Sequence, residues 1–152
     1  MEIRLDDPRR GPVTRLLREH LDDMALHSPP GSVHALDVDA LCAPSITFWT
    51  ATDVGELLGC GALSQIDARH GEIKSMRTAT EFRRMGVAAA LLRHIVAEAQ
   101  RRSYARVSLE TGSMDAFAPA RTLYSRFGFV CGGPFADYVL DPNSVFMFRD
   151  LG

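Results

Sequence analysis

Arg83-Arg84-Met85-Gly86-Val87-Ala88 stands at the start of a long amphipathic segment, and its residue types suit a phosphate cradle. The first turn of a helix leaves backbone N–H groups unpaired beside the positive end of the helix dipole. Gly86 removes the Cβ that would block a close ligand, and Ala88 keeps the next approach small. Arg83 and Arg84 add positive charge, so the turn can hold a phosphate or pyrophosphate. The same hexamer could equally be a solvated turn that happens to precede a helix, and its surroundings must decide. Two carboxylates lie on flanking alternating segments, Glu72 before the turn and Glu110 after the helix. Either becomes a useful base if partly buried; the plainer reading of Glu72 is an exposed strand residue paired with Lys74. Tyr124 carries a phenol able to donate a proton near neutral pH. It could also be a core aromatic at helical spacing with Leu123 and Phe127.

The elements that must position these groups follow from hydrophobic period. Ile3 and Leu5 alternate in a short first strand, and after Gly11-Pro12 the residues Val13, Leu16, Leu17, His20, Leu21 and Met24 share one helical face. Residues 28–32 stop that helix, and Val33 to Leu41 reads as a short second helix or turn. Ile46 to Ala51 and Leu57 to Ile66 read as a hairpin turning at Asp53-Val54-Gly55-Glu56. Gly59 and Gly61 inside its second strand predict a close backbone approach or a bulge. A strand through Gly71–Thr78 leads into the Arg83 turn. The helix from about Gly86 to Arg102 presents Ala88, Leu91, Leu92, Ile95, Val96 and Ala99 as its apolar stripe. A strand through Ala105, Val107 and Leu109 follows, then a helix with Pro119 in its first turn and Gly128 as its C-terminal cap. Phe129-Val130 and residues 145–148 supply two last strands. The order βααβββαβαββ is that of one mixed α/β domain spanning 1–152.

Composition narrows the function classes. A net charge of −2, 46% hydrophobic and 24% charged residues suit a globular chain and give no reason to expect nucleic acid or a membrane as partner. No apolar run approaches the roughly 20 residues of a membrane span, and the N-terminus lacks signal-peptide features. Cys42, Cys60 and Cys131 are odd in number and widely spaced, which indicates neither a disulfide framework nor a zinc site. The cytoplasm is the expected compartment. A dinucleotide-binding fold would need Gly-x-Gly-x-x-Gly after the first strand, and the N-terminal residues lack it.

The turn at 83–88, the strand Gly71–Thr78 before it, the strand Val107–Glu110 after it, and the segment Leu123-Tyr124-Ser125-Arg126-Phe127-Gly128-Phe129 together resemble the GNAT superfamily of acyl-CoA-dependent N-acetyltransferases. The resemblance covers roughly residues 45–150 and is closest to small bacterial single-domain members. It implies a central, mostly antiparallel sheet of about six to seven strands, splayed in the middle and flanked by about four helices. It further implies acetyl-CoA as co-substrate, no metal, and a small-molecule amine or amino-acid-like acceptor attacking directly in a ternary complex; a homodimer is allowed. By that resemblance Arg83, Arg84, Met85, Gly86, Val87 and Ala88 hold the pyrophosphate. Met76, Arg77 and Thr78 bind the pantetheine arm through main chain, and one of their N–H groups faces the thioester carbonyl. Tyr124 lies near the sulfur as general acid, and Glu72 sits at a base-bearing position with Glu110 as runner-up. Phe117 stands where many members carry an asparagine against the cofactor, and Thr80 replaces a common proline. His20, His27 and His34 cluster in the N-terminal part that covers the acceptor in this fold. His20, on the apolar stripe, reads as a half-buried structural histidine. His34, in an irregular loop, reads as acceptor-binding along with Glu110, Asp137 and Tyr138. A non-catalytic acetyl-CoA sensor or structural subunit and a peptide or protein N-acetyltransferase are the competing readings.

Overall fold

In the computed structural model, which describes residues 1–152, seven strands form one sheet in the order β1-β2-β3-β4-β5-β7-β6. The strands are β1 (Glu2–Leu5), β2 (Ile46–Asp53), β3 (Glu56–Asp67), β4 (His70–Thr78), β5 (Arg106–Gly112), β6 (Val130–Gly132) and β7 (Ser144–Asp150). Four helices accompany them: α1 (Gly11–His27), α2 (Val38–Leu41), α3 (Val87–Arg101) and α4 (Ala118–Arg126). Every neighbouring pair is antiparallel except β4 and β5. The second helix is shorter than the sequence predicts. Residues 33–37 are not helical, and α2 begins only where the Asp37 carboxylate accepts the Ala40 N–H as an N-cap.

Helices cover both faces of the sheet. Val13, Leu16 and Leu17 of α1 meet Phe48, Cys60 and Ala62 on one face. Leu91, Leu92, Ile95, Val96 and Ala99 of α3 meet Trp49, Leu63, Ile73, Val107 and Leu109 on the other. The stripe of α3 starts at Val87, which is buried, rather than at Ala88, which is half-exposed. The β2–β3 turn places Val54 and Gly55 at φ 47° and 79°, the positive values a two-residue hairpin of this twist demands.

Near Gly59 and Gly61 the register shifts, and the extra residue belongs to β4, not to β3. Cys60 pairs Arg77 and Ala62 pairs Lys74, so two β4 residues, Ser75 and Met76, lie opposite Gly61 alone. Ser75 takes φ 55° to make this bulge. The glycines are the close approach that lets it form. A Cβ at Gly59 would meet the Arg77 carbonyl oxygen at 2.6 Å, and one at Gly61 the Met76 sulfur at 2.6 Å. No helix is long and apolar enough to cross a membrane.

Candidate active site

The parallel ladder between β4 and β5 is short: His70 pairs Arg106, Gly71 pairs Val107, Glu72 pairs Ser108, and there it stops. Beyond that point β4 runs on to Thr78 with only β3 beside it, while β5 runs on to Gly112 beside β7. The sheet therefore parts in its middle, with the bulged residues Ser75 and Met76 on one side of the opening. Main-chain groups along the parted edges lack a ladder partner there. Met76, Arg77 and Thr78 lie in this stretch, as the resemblance implies. The Arg77 side chain points elsewhere: it donates to Asp23 at 2.6 Å and Glu19 at 2.8 Å, clamping α1 to β4. Arg77 is the larger part of what holds Glu19 and Asp23 below the usual carboxylate range.

The turn after β4 ends at Gly86, which sits at φ 80° as the residue preceding α3, without any side-chain cap. Ala90 is the first residue whose N–H bonds back, to the Gly86 carbonyl, so the N–H groups of Gly86, Val87, Ala88 and Ala89 have no acceptor in the protein. Nothing lies within 4 Å of where a Gly86 Cβ would stand. Arg83, Arg84 and Met85 are exposed; Arg83 reaches 3.7 Å from Asp23, and Arg84 takes φ 66°. Unpaired donors at one helix end, open space beside a glycine and two arginines fit the pyrophosphate that acetyl-CoA would bring.

On the α1 face, side chains from distant segments meet. Glu72 is buried, and its Oε2 accepts from Lys74 Nζ at 3.0 Å and from the Tyr138 hydroxyl at 2.5 Å. Lys74 also donates to the Tyr138 oxygen at 2.9 Å. The Tyr138 ring lies 4.9 Å from Phe135, 5.1 Å from His34 and 5.5 Å from Phe146, centre to centre. Burial pushes the Tyr138 phenol well above its ordinary range, with the Glu72 charge adding to it. Glu110 is half-buried on β5, and burial raises its pKa against the opposing pull of Ser144, His34 and Lys74. The buried Ser144 hydroxyl nonetheless makes no well-formed hydrogen bond, so that contact is loose. The roof is tied across the chain, where Ser32 donates to Asp141 at 2.5 Å.

Several expected residues fall outside this group. Asp137 is exposed on the loop beside Tyr138. Phe117 lies over Gly112, whose absent Cβ would otherwise stand 2.2 Å from its ring, with His27 edge-on at 6.5 Å. His20 is buried on α1, and desolvation together with Arg77 brings its pKa down to about 4, so it is neutral at physiological pH. Tyr124 is buried on α4 against Phe129, its pKa raised to about 12 by burial and the Glu110 charge. Lys74, Phe135, Phe146 and Ser144 were missed as site residues by sequence reasoning. Only the alternation of Lys74 with Glu72 could have signalled one of them, since Phe135 depends on a loop folding back over β4, and Ser144 and Phe146 on β7 pairing with β5. A concavity of about 780 Å³ lies elsewhere, among Arg4, Arg10, Arg15 and Glu81 beside the β2–β3 turn.

The model of the acetyltransferase (GNAT) family matches residues 13–129. An uncharacterized N-acetyltransferase of Bacillus subtilis, YsnE, is 56% identical over 151 residues, covering 99% of this chain and 100% of the relative. A crystal structure of a putative acyl-CoA N-acyltransferase from Klebsiella pneumoniae superposes with a TM-score of 0.80 at 26% identity, covering 99% of this chain and 97% of that one. A GNAT family acetyltransferase from Elizabethkingia anophelis, solved with acetyl-CoA bound, shares the fold at TM-score 0.73 and 18% identity, over 99% of this chain and 97% of that one. With a parted sheet and an uncapped α3 as its framework, the chain belongs to the GNAT acetyltransferase family, the acyl-CoA-dependent N-acetyltransferases.

Proposed function

We propose that this chain, acting as one domain in the cytoplasm, moves an acetyl group from acetyl-CoA to the primary amine of a small molecule by direct attack in a ternary complex. The observation that carries the reading is the parting of β4 from β5 next to an α3 N-terminus with four unpaired N–H groups. Those N–H groups, from Gly86 to Ala89, with Arg83 and Arg84, would hold the pyrophosphate. Main chain at Met76, Arg77 and Thr78 would hold the pantetheine arm, with Phe117 closing its far side. Bound acetyl-CoA would supply the thioester that an amine attacks.

The remaining work falls to side chains. A main-chain N–H at Met76 or Arg77 is the donor for the oxygen that becomes negative. Of the two carboxylates, Glu110 is better suited as base because burial favours its protonated form. Glu72, already accepting from Lys74 and Tyr138, is the alternative and otherwise fixes the roof. Tyr124 faces the departing sulfur from α4. With a pKa raised to about 12 it stays neutral and acts there first as a hydrogen-bond donor. Residues His34, Tyr138 and Glu110, with Asp137 at the rim, line the acceptor side.

The test is a mass-spectrometric screen for acetylated products across amines, amino acids and peptides at fixed acetyl-CoA. Acetylated small amines with matching release of CoA are expected. Tight acetyl-CoA binding without any product would make the chain a sensor, and product on peptides alone would move the acceptor to that class.

A further inference from the structure

The enclosed charges on the acceptor face do not balance. Lys74 is committed to Glu72 and Tyr138, and both groups of that ion pair are about nine-tenths covered. Arg77, the next cation on this face, is committed to Glu19 and Asp23. His34 stands near Asp141, which its charge would partly satisfy. Glu110 has no cation within ion-pair distance: Lys74 and His34 act on it only from further off, and the charge of Glu72 opposes them. Around these groups stand the partly exposed rings of Tyr138, Phe135 and His34 over the buried Phe146.

We propose that the acceptor is a monocationic primary amine on an aromatic or apolar body, with no carboxylate beside the amine. Glu110 holds its ammonium, and Tyr138 and Phe135 hold its body. This rests on the reading of the face as the acceptor site. An ammonium supplies the charge that Glu110 lacks, and ring faces nearby favour it further. A zwitterionic amino acid would instead set its own carboxylate near Glu110 and Glu72, where Lys74 and Arg77 are already paired. Like charges brought together in this way select against a ligand.

The experiment uses four acceptors with the whole chain: 2-phenylethylamine, L-phenylalaninamide, L-phenylalanine and ethylamine. Rates are measured at saturating acetyl-CoA and binding by calorimetry in the presence of CoA. The first two should exceed L-phenylalanine in kcat/KM and in affinity by roughly 10- to 100-fold. Ethylamine should bind more weakly than 2-phenylethylamine, since it lacks the ring. Glu110→Gln keeps the shape and should bring the ratio of 2-phenylethylamine to L-phenylalanine toward one. Should that variant not fold, the wild-type ratios decide alone. L-phenylalanine equal to or better than the amines, or none of the four bound, overturns the proposal. Selective binding of 2-phenylethylamine without turnover of any amine would uphold it while removing the catalytic reading. Turnover that prefers L-phenylalanine would do the reverse.

Discussion

The two sides of the parted sheet are made in different ways. The side assigned to the cofactor is nearly contiguous, running from the Ser75 bulge to Ala89, and its donors are main-chain N–H groups. The side assigned to the acceptor joins β4, β5, β7 and two loops, and its groups are side chains: Tyr138 meets Glu72 across 66 residues and Ser32 meets Asp141 across 109. A main-chain site depends on φ and on the absence of bulk, so it should fail when the backbone is changed. A side-chain site depends on which groups are presented, so shape-preserving substitutions should alter selectivity while the cradle stays intact.

Gly86 offers the largest effect. Its φ of 80° lies in the left-handed region, and open space beside it means that a new Cβ would strain the backbone before it met any protein atom. Gly86→Val should cut acetyl-CoA affinity by roughly 100-fold or more, about 3 kcal/mol, in a chain that still shows native circular dichroism. Gly86→Asn separates the two causes, because asparagine tolerates that conformation. If backbone geometry governs, the asparagine variant retains most of the affinity by calorimetry. If ligand crowding governs, both variants lose it.

This contrast also governs how much of each side is legible in the sequence. A main-chain cradle writes itself into a few adjacent residues, here Arg83 to Ala88, because only glycine and small residues permit it. The α3 stripe and the hairpin at Val54-Gly55 were legible for the same local reason. The bulge was half legible: Gly59 and Gly61 announced a close approach on β3, while the extra residue sits on β4, where Ser75 carries no such mark. The burial of Glu72 was not legible, since strand alternation alone leaves its face undecided. Its partner Tyr138 belongs to a loop whose path depends on Ser32 and Asp141. Residues 33–41 were read as a short helix or turn from apolar content, and Asp37 caps a helix that occupies only Val38–Leu41.

Tyr124 is buried on α4 against Phe129, within electrostatic reach of Glu110. Tyr124→Phe keeps the ring against Phe129 and removes the hydroxyl, so the KM for acetyl-CoA should hold while kcat falls roughly 100-fold. Single-turnover rates check that chemistry is the step affected. An unchanged chemical rate would leave Tyr124 as a core aromatic.

The carboxylates sharpen the comparison on the acceptor side. Burial raises the Glu110 pKa above its ordinary 4.5, so wild-type activity should climb with pH through that raised value if Glu110 is the base. Glu110→Gln should shift the climb toward the pKa of the amine, and Glu72→Gln should lower activity roughly tenfold by loosening Tyr138 without moving the profile. Stability gives an independent sign. A carboxyl with a raised folded pKa contributes stability that is present below its unfolded pKa and lost as pH rises through the folded one. Glu110→Gln stays neutral throughout, so it should melt above wild type near neutral pH and equal it in acid. A profile that moves with Glu72 alone puts the base on β4.

Ser32 should give the smallest effect and the cleanest separation. Its hydroxyl ties the loop before α2 to the loop carrying Tyr138, and Asp141 has its own backbone partner in the Asn143 N–H. Ser32→Ala therefore leaves Asp141 ordered and removes only the link between loops. Neither loop contributes to the turn at 83–88 or to α3, so acetyl-CoA affinity should not change. The acceptor KM should rise by about three- to tenfold, the usual range for one hydrogen bond of this kind, because His34 and Tyr138 lose a fixed separation. Adding Tyr138→Phe to Ser32→Ala should then raise KM by less than the two single changes multiplied, since both act on the same roof. A Ser32→Ala variant that weakened acetyl-CoA binding as much as acceptor binding would show that the two sides are one mechanical unit.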